Sequence, residues 1–184
     1  MRVISGHFKG RRLLSASGMT TRPTADRIRE SIFNIIGPRL MCRHVLDLFA
    51  GTGAMGIEAL SRGAESAVFV EMDKAALGVL RKNIAALGIE DRCRVIPWDI
   101  RKSFPMLFSG TRSYELVFMD PPYNVRLVLP TLTAVVSSGI LAPGARLVAE
   151  HSRKEPIHPV PDGLVLSDQR KFGKTLVSFL DAVI

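Results

Sequence analysis

The sequence of 184 residues has few cysteines, fewer acidic than basic residues and no long apolar run. Its two cysteines, Cys42 and Cys93, form no Cys-x-x-Cys pattern, which excludes a disulfide scaffold and a cysteine-rich zinc site. No run approaches the roughly 18 apolar residues of a membrane span, and no apolar segment follows the basic N-terminus as in a signal peptide. We therefore expect a globular cytoplasmic protein that needs no metal.

The shortage of acidic residues is concentrated near the N-terminus. The net charge is +8, and residues 1–43 contain nine Lys or Arg against two acids, so this segment carries +7 of it. A localised basic surface is typical of a protein that binds a polyanion such as nucleic acid. The alternative is a solvated basic face without a partner.

Short apolar runs alternate with helical stretches from residue 44 onward. This alternation predicts βαβ units, with a parallel sheet and helices on both faces. A hairpin over 2–14 and a helix from Pro23 precede the pattern, and strands over 164–166 and 175–180, joined by a polar stretch, follow it. We divide the chain into 1–22, a basic hairpin and linker, and 23–184, the α/β domain. The predicted central strands are 45–49, 67–70, 95–98, 116–119 and 146–149, with helices near 54–62, 74–87, 99–108 and 125–138.

A glycine-rich loop follows the first central strand and has the spacing Gly51-x-Gly53-x-x-Gly56. Such a loop lets the backbone approach a nucleotide cofactor, either NAD or S-adenosylmethionine. Asp47 favours the second, because a carboxylate there repels a pyrophosphate but attracts the ammonium of S-adenosylmethionine. Glu71, at the end of the next strand, is placed to accept hydrogen bonds from a ribose. The predicted cofactor contacts of this region are Asp47, Phe49, Ala50, Gly51, Gly53 and Glu71.

The third central strand ends at Trp98-Asp99-Ile100. In the crevice at the strand ends this is where an adenine lies. We expect Asp99 to accept from the adenine amine and Met72 and Ile100 to cover the two faces of the ring. The alternative for Asp99 is the N-cap of the following helix.

The fourth central strand ends at Asp120-Pro121-Pro122-Tyr123. The two prolines withhold N–H donors, which leaves the Asp120 carboxylate and the Pro121 carbonyl as acceptors. Two acceptors that hold both hydrogens of a base amine localise its lone pair, and Tyr123 can stack on a base taken out of its stack. We predict that these four residues form a catalytic corner for methyl transfer to an amino group. The alternative is a Pro-Pro turn that only ends a strand.

In this order, residues 47–56, Glu71, Asp99 and 120–123 resemble the class I S-adenosylmethionine methyltransferases that act on amino groups. The N-terminal segment is similar to the bacterial 16S rRNA guanine-N2 methyltransferase family, and the resemblance runs over the whole chain. Residues 171–175 resemble that family's late strand–turn element, with Phe172 where tyrosine is usual. The N-terminal residues concerned are Arg2-Val3-Ile4-Ser5-Gly6, Gly10-Arg11-Arg12-Leu13 and Arg22-Pro23-Thr24-x-Asp26-Arg27-x-Arg29-Glu30.

The resemblance implies a Rossmann-like α/β fold, with a seven-stranded mixed sheet, helices on both faces, an antiparallel last strand and an N-terminal β-hairpin. It also implies S-adenosylmethionine as cofactor, and methylation of a guanine N2 in 16S rRNA of an assembled or partly assembled small subunit. Charge and resemblance together assign RNA binding to Arg2, Lys9, Arg11, Arg12, Arg22, Thr24, Arg27 and Arg29. For Arg27 and Arg29 the alternative is a solvated helix face or an ion pair with Glu30.

Two other activities remain open at this point. DNA methyltransferases acting on adenine N6 or cytosine N4 share the Asp120 motif, and a dinucleotide-dependent oxidoreductase shares the glycine spacing. Because the hairpin precedes the βαβ units, we also expect that removing residues 1–15 leaves the fold and cofactor binding largely intact.

Overall fold

The computed structural model describes residues 1–15, 23–37, 40, 44–102 and 113–184, apart from the side chains of 23–25. Within these residues it contains four α-helices and seven β-strands. No helix among them is both long and apolar enough to cross a membrane. The elements, in chain order, are α1 (Pro23–Ile36), β1 (His44–Leu48), α2 (Ala54–Ser61), β2 (Ser66–Glu71), α3 (Lys74–Leu87), β3 (Cys93–Pro97), β4 (Tyr114–Met119), α4 (Val128–Ser137), β5 (Leu141–Ser152), β6 (Leu164–Phe172) and β7 (Thr175–Ala182).

The seven strands form one sheet in the order β3-β2-β1-β4-β5-β7-β6. The first five are parallel, and β7 lies antiparallel to both β5 and β6. The strand order reverses between β1 and β4, so a crevice opens at their carboxyl ends, where ligands bind in open α/β sheets. The predicted mixed sheet with an antiparallel last strand is confirmed.

The core lies on both faces of the sheet. On one face the N-terminal hairpin, α1, α2 and α3 pack against side chains such as Phe69 and Phe118. On the other face α4 packs against side chains such as Leu46 and Leu147. Strands covered on both faces need apolar residues at successive positions, which is why the central runs read as continuous rather than alternating.

Two predicted elements differ from the structure or lie outside it. The polar stretch 167–174, interpreted as a connection, is mostly strand, because β6 runs through Asp168 and Arg170 to Phe172. β6 is the edge of the sheet, so polar side chains such as the ion-paired Asp168 and Arg170 extend into solvent. The predicted helix near 99–108 falls mostly on residues 103–112, outside the described residues; 100–102 form a turn.

The N-terminal hairpin shares its core with the rest of the chain. Arg2 and Arg12 form an antiparallel bridge, so the hairpin itself is confirmed. Its apolar side chains Val3, Phe8 and Leu13 are buried in the same cluster as those of β1 and α2. The boundary at residue 22 therefore does not separate two cores within the described residues.

Polar contacts hold the hairpin on α2 and α3. The buried Glu58 carboxylate accepts from Ile4 N at 2.8 Å and Ser5 N at 3.0 Å. Ser61 accepts from the hairpin through both its hydroxyl and its carbonyl, and a Cβ on Gly6, whose φ is +81°, would stand 1.9 Å from that carbonyl oxygen. These contacts argue against the expectation that residues 1–15 are dispensable, since their removal would expose core and leave Glu58 without these donors.

Candidate active site

The predicted cofactor loops meet at the carboxyl ends of β3, β2, β1 and β4, which are neighbours in the sheet. Backbone bonds tie the loops to one another. Ala50 N donates to Val70 O at 3.0 Å, and Trp98 N donates to Glu71 O at 2.9 Å. The sequence therefore places its candidate residues along one continuous edge.

Asp47 lies beneath the glycine-rich loop rather than on its surface. Its side chain is 3% exposed, and Oδ2 accepts from Gly56 N, in the first turn of α2, at 2.9 Å. Burial, with Glu71 as a further negative neighbour, raises the pKa of Asp47 to about 8, although the Gly56 N–H opposes the shift. A Cβ on Gly56 would meet the Phe69 ring at 2.4 Å, so the loop packs closely on the strand below it. A cation arriving beside Asp47 favours its ionised form.

Glu71 closes the loop from the end of β2. One carboxylate oxygen accepts from Gly51 N at 2.7 Å, and the other accepts from Met72 N at 2.7 Å and Asp73 N at 2.8 Å. The carboxylate is thus held at the edge and joins the two loops. A ribose hydroxyl reaching it meets an acceptor that is already oriented.

The predicted adenine site is partly as expected. Met72 is 54% exposed, which leaves it available to cover a ring, whereas Ile100 is buried in the core. Asp99 makes a two-pronged ion pair with Arg101, with oxygens at 2.7 and 2.8 Å, and this contact lowers the pKa of Asp99 to about 2. An adenine amine that approached Asp99 would share this carboxylate with Arg101.

The catalytic corner follows β4 directly. Pro121 is buried, whereas Asp120, Pro122 and Tyr123 are exposed at the mouth of the crevice. The protein surrounding Asp120 on its inner side, followed by the charges of Glu150 and Asp47, raises the pKa of Asp120 well above its ordinary value. The ionised Asp120 is accordingly a stronger proton acceptor than an ordinary aspartate.

Sequence reasoning missed Glu150, near the end of β5. Tyr123 donates its hydroxyl hydrogen to Glu150 Oε1 at 2.5 Å, and the same hydroxyl is 3.1 Å from Thr175 Oγ1 on β7. These two contacts fix the orientation of the Tyr123 ring. The sequence did contain a signal for Glu150. The site occupies the carboxyl ends of parallel strands, and Glu150 is the acidic residue near the carboxyl end of β5.

Glu155 was missed as well, and it shapes the segment after the corner. Asn124 and Arg126 both have positive φ, near 60°, although neither is glycine. Their N–H groups donate to the two oxygens of Glu155 at 2.6 and 2.5 Å. Glu155 thus holds a strained backbone in place beside Tyr123.

The predicted RNA contacts separate into three groups, of which the third is Arg29 alone. Arg2, Lys9, Arg11, Arg12 and Arg27 are exposed. Arg22 and the side chain of Thr24 lie outside the described residues.

Arg29 was assigned wrongly. It is 4% exposed, and its guanidinium donates to Arg2 O at 2.5 Å and lies 3.3 Å from Asp26 and 3.9 Å from Glu58. Burial lowers the pKa of Arg29, and the two acids oppose that shift. Arg29 joins α1 to the hairpin and is not available to a nucleic acid.

Comparison with known proteins is consistent with this site. Residues 1–181 match the family described as "Conserved hypothetical protein 95". The chain belongs to this family. A relative from Bacillus subtilis (strain 168), "Putative rRNA methyltransferase YlbH", is 37% identical over 178 residues, which cover 97% of each chain. "Ribosomal RNA small subunit methyltransferase D" of Escherichia coli (strain K12) is 35% identical over 176 residues, which cover 95% of this chain and 86% of that protein.

A solved structure of similar extent supports the fold. "Putative methyltransferase yhhF from Escherichia coli" superposes with a TM-score of 0.85 at 32% sequence identity, and the match covers 100% of this chain and 98% of that one. The predicted Rossmann-like class I methyltransferase fold is confirmed.

Proposed function

We propose that this chain transfers the methyl group of S-adenosylmethionine to the N2 amine of a guanine in small-subunit ribosomal RNA. The observation that carries the proposal is the position of Asp120-Pro121-Pro122-Tyr123 at the end of β4, directly beside the glycine-rich loop that follows β1. This adjacency puts acceptors for a base amine next to a cofactor crevice. The names of the relatives support ribosomal RNA as the substrate.

The residues along the edge fit S-adenosylmethionine. Asp47 is a buried carboxyl without a cationic partner among the described residues, and it suits an ammonium. Glu71 offers acceptors to a ribose, and Met72 leaves an apolar surface exposed for an adenine. When bound, the cofactor supplies a methyl group on a positively charged sulfur.

The protein's part in the reaction is to hold the base and take up a proton. Asp120 and the Pro121 carbonyl accept from the amine, which localises its lone pair. Tyr123, fixed by Glu150, stacks on the extruded base. Such placement and preorganised charge lower the barrier without any covalent step on the protein. The raised pKa of Asp120 suits it to receive the proton that the amine loses.

Exposed basic residues form two separate surfaces. One is the hairpin, with Arg2, Lys9, Arg11 and Arg12. The other surrounds the catalytic corner, and we call it the cationic rim; it comprises Arg126, Arg153, Lys154 and Lys174, all exposed. The bond from Arg153 N to Lys174 O, 3.1 Å long, joins the end of β5 to the β6–β7 turn, and Thr175 contacts Tyr123. RNA phosphates on the rim bring a neighbouring base to the corner.

Methyl transfer to defined substrates tests the proposal. Small subunits, partly assembled particles, naked 16S rRNA and duplex DNA would each be incubated with the protein and methyl-labelled cofactor, and their nucleosides analysed by mass spectrometry. We expect N2-methylguanosine from rRNA, with the assembled or partly assembled cytoplasmic particles as the better substrates. Label in adenine or cytosine of DNA, or none in rRNA guanine, would overturn the proposal.

A further inference from the structure

Three neighbouring strand ends place polar side chains in a row beside the base site. Asp120 follows β4, Glu150 is near the end of β5, and Thr175 begins β7. Met119 pairs with Ala149 in the β4–β5 register, so Asp120 and Glu150 are the next residues of adjacent strands. The Tyr123 hydroxyl contacts both Glu150 and Thr175, and the charge of Glu150 acts on Asp120, so the three side chains lie close together.

Glu150 has a carboxylate, although holding the Tyr123 hydroxyl does not require one. A hydroxyl group would hold Tyr123 equally well, and a second acid beside Asp120 is unfavourable because the two charges repel each other. Among the described residues no cation pairs with Glu150, and burial raises the pKa of Glu150, although the Tyr123 hydroxyl opposes the shift. Two adjacent acids without a cation are best compensated by a ligand with two adjacent donors.

The amino-bearing bases differ in what lies beside the amine. In guanine the N2 amine is next to N1–H, a second donor. In adenine the N6 amine is next to N1, an acceptor, and in cytosine the N4 amine is next to N3, also an acceptor. An ionised carboxylate at the neighbouring position accepts from guanine N1–H but repels the lone pair of the other two.

We propose that Glu150 accepts the N1–H of the target guanine while Asp120 holds its N2 amine, so that Glu150 selects guanine over the other bases. The inference rests on the proposed function. Oε1 of Glu150 is used by the Tyr123 hydroxyl, and Oε2 remains for the base. One carboxylate therefore fixes the stacking ring and reads the edge of the stacked base.

The test compares two RNA substrates that differ only at the target nucleotide, guanosine or 2-aminopurine riboside. The second keeps the C2 amine but has an unprotonated N1, which accepts. We expect the wild-type protein to favour guanosine in kcat/KM. Glu150→Gln presents an amide N–H that can donate to this N1, so the preference should fall at least tenfold, the size of one base-reading contact.

The matched control is Tyr123→Phe, which removes the hydroxyl that Glu150 holds but leaves the carboxylate. We expect it to lower turnover on both substrates and to leave their ratio unchanged. If Glu150→Gln instead lowers both substrates equally, Glu150 only positions Tyr123 and the inference is overturned.

A measurement without any variant also decides the question. Wild-type protein that methylates the 2-aminopurine RNA as efficiently as the guanosine RNA would refute base selection by Glu150, even if the Gln variant does not fold. Failure of the proposed function has a different signature, since the wild type would then leave the guanosine RNA unmethylated.

Discussion

Replacing Asp47 by asparagine is expected to stabilise the fold at alkaline pH and to weaken cofactor binding. Burial raises the pKa of Asp47 from 3.8 to about 8, so the folded protein keeps a proton that the unfolded chain releases above about pH 4. The contribution of Asp47 to the free energy of unfolding is therefore fully present below the unfolded pKa of about 4 and is lost as the pH rises towards about 8. An asparagine cannot ionise and avoids that loss.

The structure sets the size of the effect. One pKa unit corresponds to about 1.4 kcal/mol, so a shift of about 4 units gives an upper limit of about 6 kcal/mol at pH 8. Asparagine keeps an oxygen for Gly56 N–H, but its own amide hydrogens need partners, at a cost of about 1–3 kcal/mol. We expect the Asp47→Asn variant to exceed the wild type by up to about 3–5 kcal/mol at pH 8 and to fall below it at pH 4.

Urea unfolding from pH 4 to pH 9 measures the first effect, and calorimetry with S-adenosylmethionine measures the second. The ammonium of S-adenosylmethionine favours the ionised form of Asp47, so cofactor binding to the wild type at pH 7 should release a proton. This release makes the measured heat of binding depend on the ionisation enthalpy of the buffer. The variant should show no such release and should bind at least tenfold more weakly. A variant whose stability parallels the wild type at every pH, with the same cofactor affinity, would refute this reasoning.

Asp120→Asn should lower single-turnover methyl transfer by about 10² or more while leaving cofactor affinity unchanged; near-normal transfer would contradict its role. Glu71→Ala removes an acceptor and the support of the glycine-rich loop, so calorimetry should show a loss of about 1.5–3 kcal/mol in cofactor binding. Deleting residues 1–15 should lower the urea midpoint sharply, and a wild-type midpoint would mean that the hairpin contacts contribute nothing. Lys9→Gln with Arg12→Gln should spare the midpoint but flatten the slope of log RNA affinity against log salt by up to about 1.8. An unchanged slope would place the RNA elsewhere.

The sheet and its edge were predictable because they depend on local patterns. Each parallel strand is visible in the sequence as an apolar run. Because parallel strands have their carboxyl ends at the same edge of the sheet, the residues that follow these runs lie along one edge. Asp47, Glu71, Asp99 and Asp120 therefore lie at the ends of four neighbouring strands. Their detailed partners were not predictable, since the bond of Asp47 to Gly56 N and the ion pair of Asp99 with Arg101 depend on loop conformation.

The errors arise from long-range packing. A charge count cannot tell that Arg29 turns inward, because Glu58, one of the two acids beside it, lies 29 positions further along the chain. For the same reason the hairpin looked separable, although Glu58 also accepts its N–H groups. Glu150 was overlooked because it is a single acid in a largely apolar strand. Its bond to the Tyr123 hydroxyl depends on the folded structure and cannot be inferred from the sequence.

The distribution of charge bears on the proposed extrusion of a base from its stack. Asp120 and Glu150 lie at the crevice, and their carboxylates repel phosphate when they are ionised, whereas the basic residues of the cationic rim are exposed. At physiological ionic strength charges act over about 8 Å, so a phosphate bound to the rim is attracted chiefly by the cations of the rim itself. A neutral base with two donors on its edge gains from those same acids. The arrangement thus favours a nucleotide whose phosphates stay outside while its base turns in, and it disfavours a base that remains paired in a duplex.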